Sequence, residues 1–154
     1  PDCVRALIKG APIILRSPQA IRPWQHVLDP LAGYLLLAKC LFENPLPFSG
    51  AWNFGPQPED QITVKELVSR FITSWGCGTI QESQSGAKAP HEAHVLQLCI
   101  DKAVHLLSWK PMLDGTTAID WTAEWYKGWF SEPASCLEIS IDQIMAFEKR
   151  IEKI

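Results

Sequence analysis

The chain has 154 residues, of which 47% are hydrophobic and 20% are charged, and its 14 basic and 17 acidic residues give a net charge of −3. This length and apolar content predict one globular domain and exclude an intrinsically disordered chain. The small negative charge excludes a protein that binds nucleic acid or an anionic membrane through a basic surface. The longest apolar run, at residues 34–38, is far shorter than the roughly 20 residues that span a bilayer.

Five cysteines are spread along the chain without a C-x-x-C pair. Their odd number and wide spacing argue against a disulfide framework or a zinc ribbon, and they favour free thiols in a reducing compartment. We therefore expect a cytoplasmic protein. The chain begins with Pro1 rather than Met, and we expect residue 1 to be an internal position of a longer protein or a processed start.

The first third of the chain predicts helices around short strands. Residues 2–9 predict a helix that ends at Gly10, and the apolar run 13–15 predicts a buried strand. A second extended piece is expected at residues 24–27. Asp29 then predicts the N-cap of a helix that runs to about residue 43, because a proline follows it at the first helical position. The predicted apolar face of that helix consists of Leu31, Tyr34, Leu35, Ala38 and Leu41 or Phe42.

The middle of the chain contains a strand signal and a clear helix signal. Residues 51–54 lie between glycines and predict a strand. Thr63 and Glu66 have the spacing of a capping box at the start of a helix. Residues 79–84 predict another strand, and the polar stretch 83–90 predicts a surface loop.

The last third predicts three helices. Residues 95–100 are expected to be extended, with Asp101 capping a short helix. A long helix is predicted to start at Thr116 or Thr117 and to stop at a Glu-Pro pair, with Ala118, Thr122, Trp125, Tyr126 and Trp129 on one side. Ser140 and Gln143 suggest a second capping box. The face of that final helix is predicted to consist of Ile141, Ile144, Met145, Ile151 and Ile154.

Motifs that would support catalysis by this chain alone are missing from the sequence. It contains no G-x-G-x-x-G, no P-loop and no G-x-S-x-G. Neither Tyr34 nor Tyr126 has a lysine four residues later, so the chain lacks a Tyr-x-x-x-Lys pair for proton transfer. We therefore predict no catalytic residue here.

The run His91-Glu-Ala-His94 combines two imidazoles with a carboxylate. Zinc-binding helices of the H-E-x-x-H type place their histidines four residues apart, whereas these are three apart in a stretch that looks extended. In a strand, positions i and i+3 point to opposite faces, so we predict no metal site. Contact with a ligand and a solvated loop both remain open.

Arg16 and Arg22 flank a short turn, and Trp24 and His26 follow. Two guanidinium groups beside an aromatic ring and an imidazole suit a diphosphate, because forked N–H donors match phosphate oxygens. Ordinary surface arginines are the alternative, and the residues alone do not decide between the two.

Several runs of this sequence resemble CDP-glucose 4,6-dehydratases, which are members of the extended short-chain dehydrogenase/reductase superfamily. The resemblance covers essentially the whole chain in order. Its most specific run is RSPQAIRPWQHVLDPLAGYL at residues 16–35. It continues with GAWNFGP at 50–56, HEAH at 91–94, DKA at 101–103, LSWKP at 107–111, TAEWYKGW at 122–129 and IDQIMAFE at 141–148. Ser108 departs from the family pattern, which commonly has glycine there.

The resemblance implies an α/β fold, helix-rich with short strands, that forms the C-terminal substrate-binding part of a Rossmann-type enzyme. Residues 1–154 would be a single nucleotide-sugar-binding domain, with the N-terminal NAD-binding Rossmann domain absent from this chain. The family uses tightly held NAD to convert CDP-glucose to CDP-4-keto-6-deoxyglucose for deoxysugar synthesis. NAD would belong to the full-length enzyme, a homo-oligomer by expectation, and would not bind to this chain alone.

The resemblance also implies which residues contact the substrate. Arg22 matches an arginine that reaches the diphosphate, and Glu92 matches a nucleotide-contacting position, with His91 and Arg16 as further candidates. Two alternatives stay open: a dehydratase or epimerase that uses a UDP, GDP or dTDP sugar, and a truncated binding module without catalytic activity.

Overall fold

The computed structural model describes residues 1–83 and 93–152. The α-helices in these residues are α1 (Asp2–Ile8), α2 (Leu28–Glu43), α3 (Pro45–Phe48), α4 (Val64–Trp75), α5 (Asp101–Leu107), α6 (Gly115–Ser131) and α7 (Cys136–Ile151). Two strands, β1 (Ile13–Leu15) and β2 (Ile80–Glu82), pair in parallel with Ile13 opposite Ile80. Single 3₁₀ turns lie at Pro58–Asp60 and Pro133–Ser135. The predicted helix-rich α/β class is confirmed.

The buried side chains form two clusters. The larger cluster lies between α1, β1, α4 and α6, and it consists of Val4, Leu7, Ile13, Leu15, Val68, Phe71, Trp75, Ile119 and Ala123. The smaller one lies beside α2 and consists of Phe54, Ile100, Ala103, Leu107 and Trp109. Burial of these apolar surfaces is the main force that holds the helices together.

The predicted helices that precede the two strands, α1 before β1 and α4 before β2, are confirmed. α1 ends before Gly10, whose φ of 63° suits glycine. At the start of α4, Thr63 Oγ1 accepts from the N–H of Glu66 and the Glu66 carboxylate accepts from the N–H of Thr63, which is the predicted capping box. The helix ends at Gly76 with a φ of 100°.

The start and the buried face of α2 differ from the prediction. Asp29 is not the N-cap: Val27 holds that position, and Asp29 is buried in the first turn. Leu35 is 74% and Phe42 92% exposed, and the other residues predicted for the apolar face, Leu31, Tyr34, Ala38 and Leu41, are exposed or half-buried. The helix instead contacts the core through Gly33, where an added Cβ would overlap the ring of Phe54, and through the partly buried side chains of Leu36, Leu37 and Cys40. Close approach at a residue without a side chain rotates the helix away from the face that hydropathy predicts.

Three predicted extended segments form no strand. Residues 24–27 and 51–54 have no strand pairing, and residues 95–100 have only a single bridge, between Val95 and Ile21. Side chains hold the 51–54 segment instead: the Trp52 indole N–H donates to the Phe48 carbonyl at 2.8 Å. Apolar runs bounded by glycine are found both in strands and in packed coil, and tertiary contacts choose between them.

The C-terminal helices begin at other residues than predicted. Asp101 is the first residue of α5, and Ile100 is its N-cap. Asp114 caps α6 by accepting from the N–H of Thr117 at 2.8 Å, so the helix starts ahead of Thr116.

The predicted capping box of α7 is wrong. The helix begins at Cys136, and Ser140 and Gln143 lie inside it, where they make polar contacts with α6. The face predicted to be buried is exposed at Ile141, Ile144, Met145 and Ile151, and Ile154 lies outside the described residues. The core side contains Gln143 and Phe147 instead. Hydropathy misplaced this face because a buried glutamine counts as polar.

No helix in residues 1–83 or 93–152 is both long and apolar enough to cross a membrane. The same residues contain no group of three or more His, Cys, Asp or Glu side chains that could hold a metal ion.

Candidate functional site

The segment before Arg22 lies between the start of α4 and the chain at residues 94–96. The carbonyl of Ala20 accepts from the N–H of Val64 at 2.9 Å. On the other side, the N–H of Ile21 donates to the His94 carbonyl at 2.8 Å, and the Ile21 carbonyl accepts from Leu96 at 3.1 Å. Residues far apart in sequence therefore fix the backbone from which the Arg22 side chain extends.

Arg22 is half-buried, and its guanidinium lies beside backbone carbonyls. Its Nη1 donates to the Ile21 carbonyl at 2.8 Å and lies 3.5 Å from the His94 carbonyl oxygen. The N–H of Trp24 donates to the Arg22 carbonyl at 2.8 Å, which closes a tight turn around Pro23. This turn and the two neighbouring segments limit the directions that the guanidinium can take.

The other predicted substrate contacts do not all lie in the part of the chain that the structure describes. His91 and Glu92 lie outside the described residues. His94 is within the described residues, and its carbonyl accepts from the N–H of Ile21, next to Arg22. The structure thus brings one end of the H-E-A-H run to Arg22 through backbone contacts.

Arg16 is exposed and lies directly after β1. The pKa of the Asp2 carboxyl is lowered, mainly by its hydrogen bond and ion pair with Arg5 and to a smaller extent by the charge of Arg16. The structure therefore places Arg16 near Asp2, and the two arginines that the sequence grouped face different neighbours.

Three side chains fix the position of residues 23–29, the segment that follows Arg22. The sequence analysis did not predict this role for them. The Gln25 amide donates to the Phe54 carbonyl at 2.9 Å. His26 is buried, with its ring edge-on to Trp121 at 5.7 Å between centroids, and burial lowers its pKa. Asp29 is 1% exposed and accepts from the N–H of Met112 at 2.6 Å. All three belong to the RPWQHVLD run, so their position beside Arg22 is the signal that could have indicated them.

The buried carboxyl of Asp29 has an unusual environment. Burial raises its pKa to about 6, against the lowering effects of backbone N–H groups at Met112 and Leu113 and of the Arg150 charge. Its Oδ2 has no hydrogen-bond partner among the described residues. The Asp29 carboxyl thus serves as an acceptor for the backbone N–H of Met112.

Two cavities adjoin the segment after Arg22. One has a volume of about 390 Å³ and lies between β1, α4 and α6, with Trp24 and Gln25 in its wall. The other, of about 360 Å³, lies between Gln25, His26 and the helices α6 and α7. Within the described chain, the indole N–H of Trp24 and the Oε1 of Gln25 are buried without a hydrogen-bond partner. These two polar groups could bond to a ligand, whereas Arg22 does not line either cavity.

Comparison with known proteins supports the resemblance that the sequence motifs indicate. No family model matches the chain. The chain is 40% identical over 129 residues, or 84% of its length, to the CDP-glucose 4,6-dehydratase of Salmonella typhimurium. This match spans 36% of that enzyme, so the chain corresponds to little more than a third of its curated relative. The predicted resemblance to CDP-glucose 4,6-dehydratases is confirmed.

The fold also matches a solved structure. A crystal structure of dTDP-glucose 4,6-dehydratase from Bacillus anthracis str. Ames in complex with NAD superposes with a TM-score of 0.62. The match covers 81% of this chain and 37% of that chain at 19% sequence identity. At this identity the match shows the fold alone, and it confirms the predicted fold class.

Proposed function

We propose that this chain is the C-terminal, substrate-binding part of a CDP-glucose 4,6-dehydratase. The observation that carries the proposal is the 40% identity to the Salmonella enzyme over 84% of the chain. In this proposal residues 1–154 form one domain that binds CDP-glucose. The conversion to CDP-4-keto-6-deoxyglucose would take place only together with an N-terminal part, in a cytoplasmic homo-oligomer.

Arg22 is the proposed contact to the diphosphate. Its backbone is fixed by the N–H of Ile21 on His94 and by the turn at Trp24. An arginine whose backbone is already ordered loses less conformational entropy on binding than one on a mobile segment. The parallel N–H donors of its guanidinium match two phosphate oxygens. His91 and Glu92 are proposed as nucleotide contacts because residues 94–96 run beside Ile21. Arg16 is a weaker candidate, since it faces Asp2.

NAD does not fit the residues of this chain. A dinucleotide site needs a glycine-rich turn between a strand and a helix of a parallel sheet. The sequence has no G-x-G-x-x-G, and the sheet in the described residues has two strands of three residues each. We therefore assign NAD to the N-terminal part of the enzyme and no redox step to this chain.

Thermal unfolding of the 154-residue chain with nucleotide sugars tests the proposal. A ligand that binds the folded state raises the Tm, and the rise increases with the logarithm of its concentration relative to its dissociation constant. We expect CDP-glucose to raise the Tm more than UDP-, GDP- or dTDP-glucose. A larger shift with one of those three would identify a different nucleotide-sugar enzyme. No shift with any of them would support the truncated module instead.

Two arginine variants make the comparison specific. Arg22→Ala should reduce the shift caused by CDP-glucose at a given ligand concentration. Arg5→Ala is the matched control, because Arg5 is an exposed arginine that pairs with Asp2 on α1. An equal loss of the shift in both variants would contradict a specific role for Arg22.

A further inference from the structure

Arg150 contacts two other parts of the chain from the last turn of α7. Its Nη1 donates to the Met112 carbonyl at 3.4 Å, in the loop that precedes α6. The carbon of its guanidinium lies 5.5 Å from the centre of the Trp121 ring on α6, which is within the range of a cation–π contact. One half-buried guanidinium thus joins α7 to the loop before α6 and to α6 itself.

Each of these two contacts leads on to a buried side chain of residues 23–29. The N–H of Met112 donates to the Asp29 carboxylate at 2.6 Å. The Trp121 ring packs edge-on against the His26 ring, with 5.7 Å between centroids. Because Asp29 and His26 are both buried, water replaces these contacts only when the chain opens locally. Arg150 therefore supports two of the three side chains that fix the segment after Arg22.

The same segment begins at the residue proposed to bind the diphosphate. The N–H of Trp24 donates to the Arg22 carbonyl at 2.8 Å, and the N–H of Asp29 donates to the His26 carbonyl at 3.2 Å. These turns limit how far residues 22–29 can extend. Loss of the contacts at His26 and Asp29 would therefore loosen the backbone of Arg22.

We propose that Arg150 is a positioning residue for the diphosphate contact made by Arg22. It acts through Met112 and Trp121, without contact to the ligand. The packing of α7 on α6 and the binding of the nucleotide sugar then favour each other, because a coupling between two binding equilibria is reciprocal. This inference rests on the proposed function, since it concerns the same site.

Lys149 provides the matched control for Arg150. It is the preceding residue of α7, carries the same charge and is exposed. Replacement of either residue by alanine removes one positive charge from the same turn of the same helix, with a similar effect on helix propensity. A difference between the two variants therefore reports the contacts with Met112 and Trp121.

Calorimetric titration of CDP-glucose into the 154-residue chain measures the effect on affinity. Arg150→Ala should weaken binding by about three- to thirtyfold, the range expected for a residue that acts on a site without contacting the ligand. Arg150→Lys should recover part of that loss, because an ammonium supplies the charge but no planar group that spans both contacts. Lys149→Ala should bind as tightly as the unmodified chain.

A double variant separates positioning from general destabilisation. When Arg22 is already alanine, Arg150→Ala should weaken binding little further, because the contact that it positions is gone. Hydrogen exchange of the unliganded chain gives a second readout. The backbone N–H groups of Met112 and Asp29 should exchange faster in Arg150→Ala, whereas those of α4 should exchange at an unchanged rate.

Several results would overturn the proposal. These are equal affinity of Arg150→Ala and the unmodified chain, or an equal loss of affinity in Lys149→Ala. A double variant whose loss is the product of the two single losses would also do so, as would exchange that rises as much in α4 as at Met112. A chain that binds no nucleotide sugar would contradict the proposed function alone. Exchange at Met112 and Asp29 would then decide whether Arg150 fixes this segment.

Discussion

The carboxylate of Asp29 accepts a hydrogen bond of 2.6 Å from the backbone N–H of Met112, 83 residues further along the chain. The Met112 carbonyl lies 3.4 Å from Nη1 of Arg150, which donates to it from α7. The backbone of Met112 thus connects the first turn of α2 with the C-terminal helix α7. Because Asp29 lies seven residues after Arg22, in the first turn of α2, this contact also anchors the segment proposed to bind the diphosphate.

Asp29 should make the stability of the chain depend on pH. Its pKa of about 6 in the folded state lies above the ordinary 3.8, so the folded state holds a proton that the unfolded state has lost between these values. The contribution of Asp29 to the free energy of unfolding is therefore fully present below about pH 4. It decreases by roughly 2–3 kcal/mol as the pH rises through 6. Asp29→Asn keeps the acceptor for Met112 without the charge. We expect it to be more stable than the unmodified chain at pH 7 and equally stable at low pH.

Denaturant unfolding at a series of pH values measures this difference. Asp29→Ala provides the comparison, because it removes the acceptor and leaves the Met112 N–H unsatisfied. It should be less stable than Asp29→Asn at every pH by about 1–3 kcal/mol. An asparagine variant that loses stability with pH as steeply as the unmodified chain would contradict the assignment to Asp29.

The affinity for CDP-glucose should decrease more when Arg22 loses its charge than when it loses only its forked N–H donors. Arg22→Ala should weaken binding of CDP-glucose by roughly ten- to a hundredfold, which corresponds to a charge-assisted hydrogen bond of about 1.5–3 kcal/mol. Arg22→Lys should recover part of that loss, because an ammonium provides charge without parallel donors. Calorimetric titration of each variant gives the dissociation constants. Unchanged affinity in a folded alanine variant would show that Arg22 has a structural role only.

Gly33 should tolerate no side chain. A Cβ there would overlap the ring of Phe54, which is buried edge-on against Tyr34 and Trp109 at 5.3 and 4.9 Å between centroids. Gly33→Ala should therefore destabilise the chain by about 1–3 kcal/mol, despite the higher helix propensity of alanine. Thermal unfolding beside Lys39→Ala, an exposed position of α2, provides the measurement and its control. A gain in Tm for Gly33→Ala would show that α2 does not pack on Phe54.

Replacement of Ser108 by glycine should stabilise the folded chain. It follows α5 with a φ of 51°, in the left-handed region where residues with a Cβ are strained by about 1 kcal/mol. Ser108→Gly should raise the free energy of unfolding by about 0.5–1 kcal/mol, because glycine adopts this conformation without strain. Ser108→Ala retains the Cβ and should give no gain. Equal stability of the glycine and alanine variants would contradict the strain.

The 154-residue chain should neither bind NAD tightly nor convert CDP-glucose by itself. It lacks the glycine-rich turn and the Tyr/Lys pair that these steps need. Equilibrium dialysis with NAD and an assay for the 4-keto product test the two parts separately. Steady formation of product by the purified chain would contradict the assignment of NAD binding and the redox chemistry to the N-terminal part.

Local signals in the sequence determined where several elements begin and end. The Thr63–Glu66 capping box and the glycines after α1 and α4 act within one or two turns of chain, so their geometry depends little on the rest of the molecule. The run at residues 16–35 around Arg22 also indicated the family, since it is the most specific part of the resemblance.

Only the tertiary structure decided which faces of α2 and α7 are buried. The side of α2 is set by contact between Gly33 and Phe54, and the side of α7 by polar bonds from Ser140 and Gln143 to α6. Hydropathy counts glycine, serine and glutamine as poor core residues, so the apolar pattern selected the wrong faces. The partner of Asp29 was hidden for a related reason: a contact between Asp29 and Met112 depends on how the chain between them folds, and no local pattern encodes it.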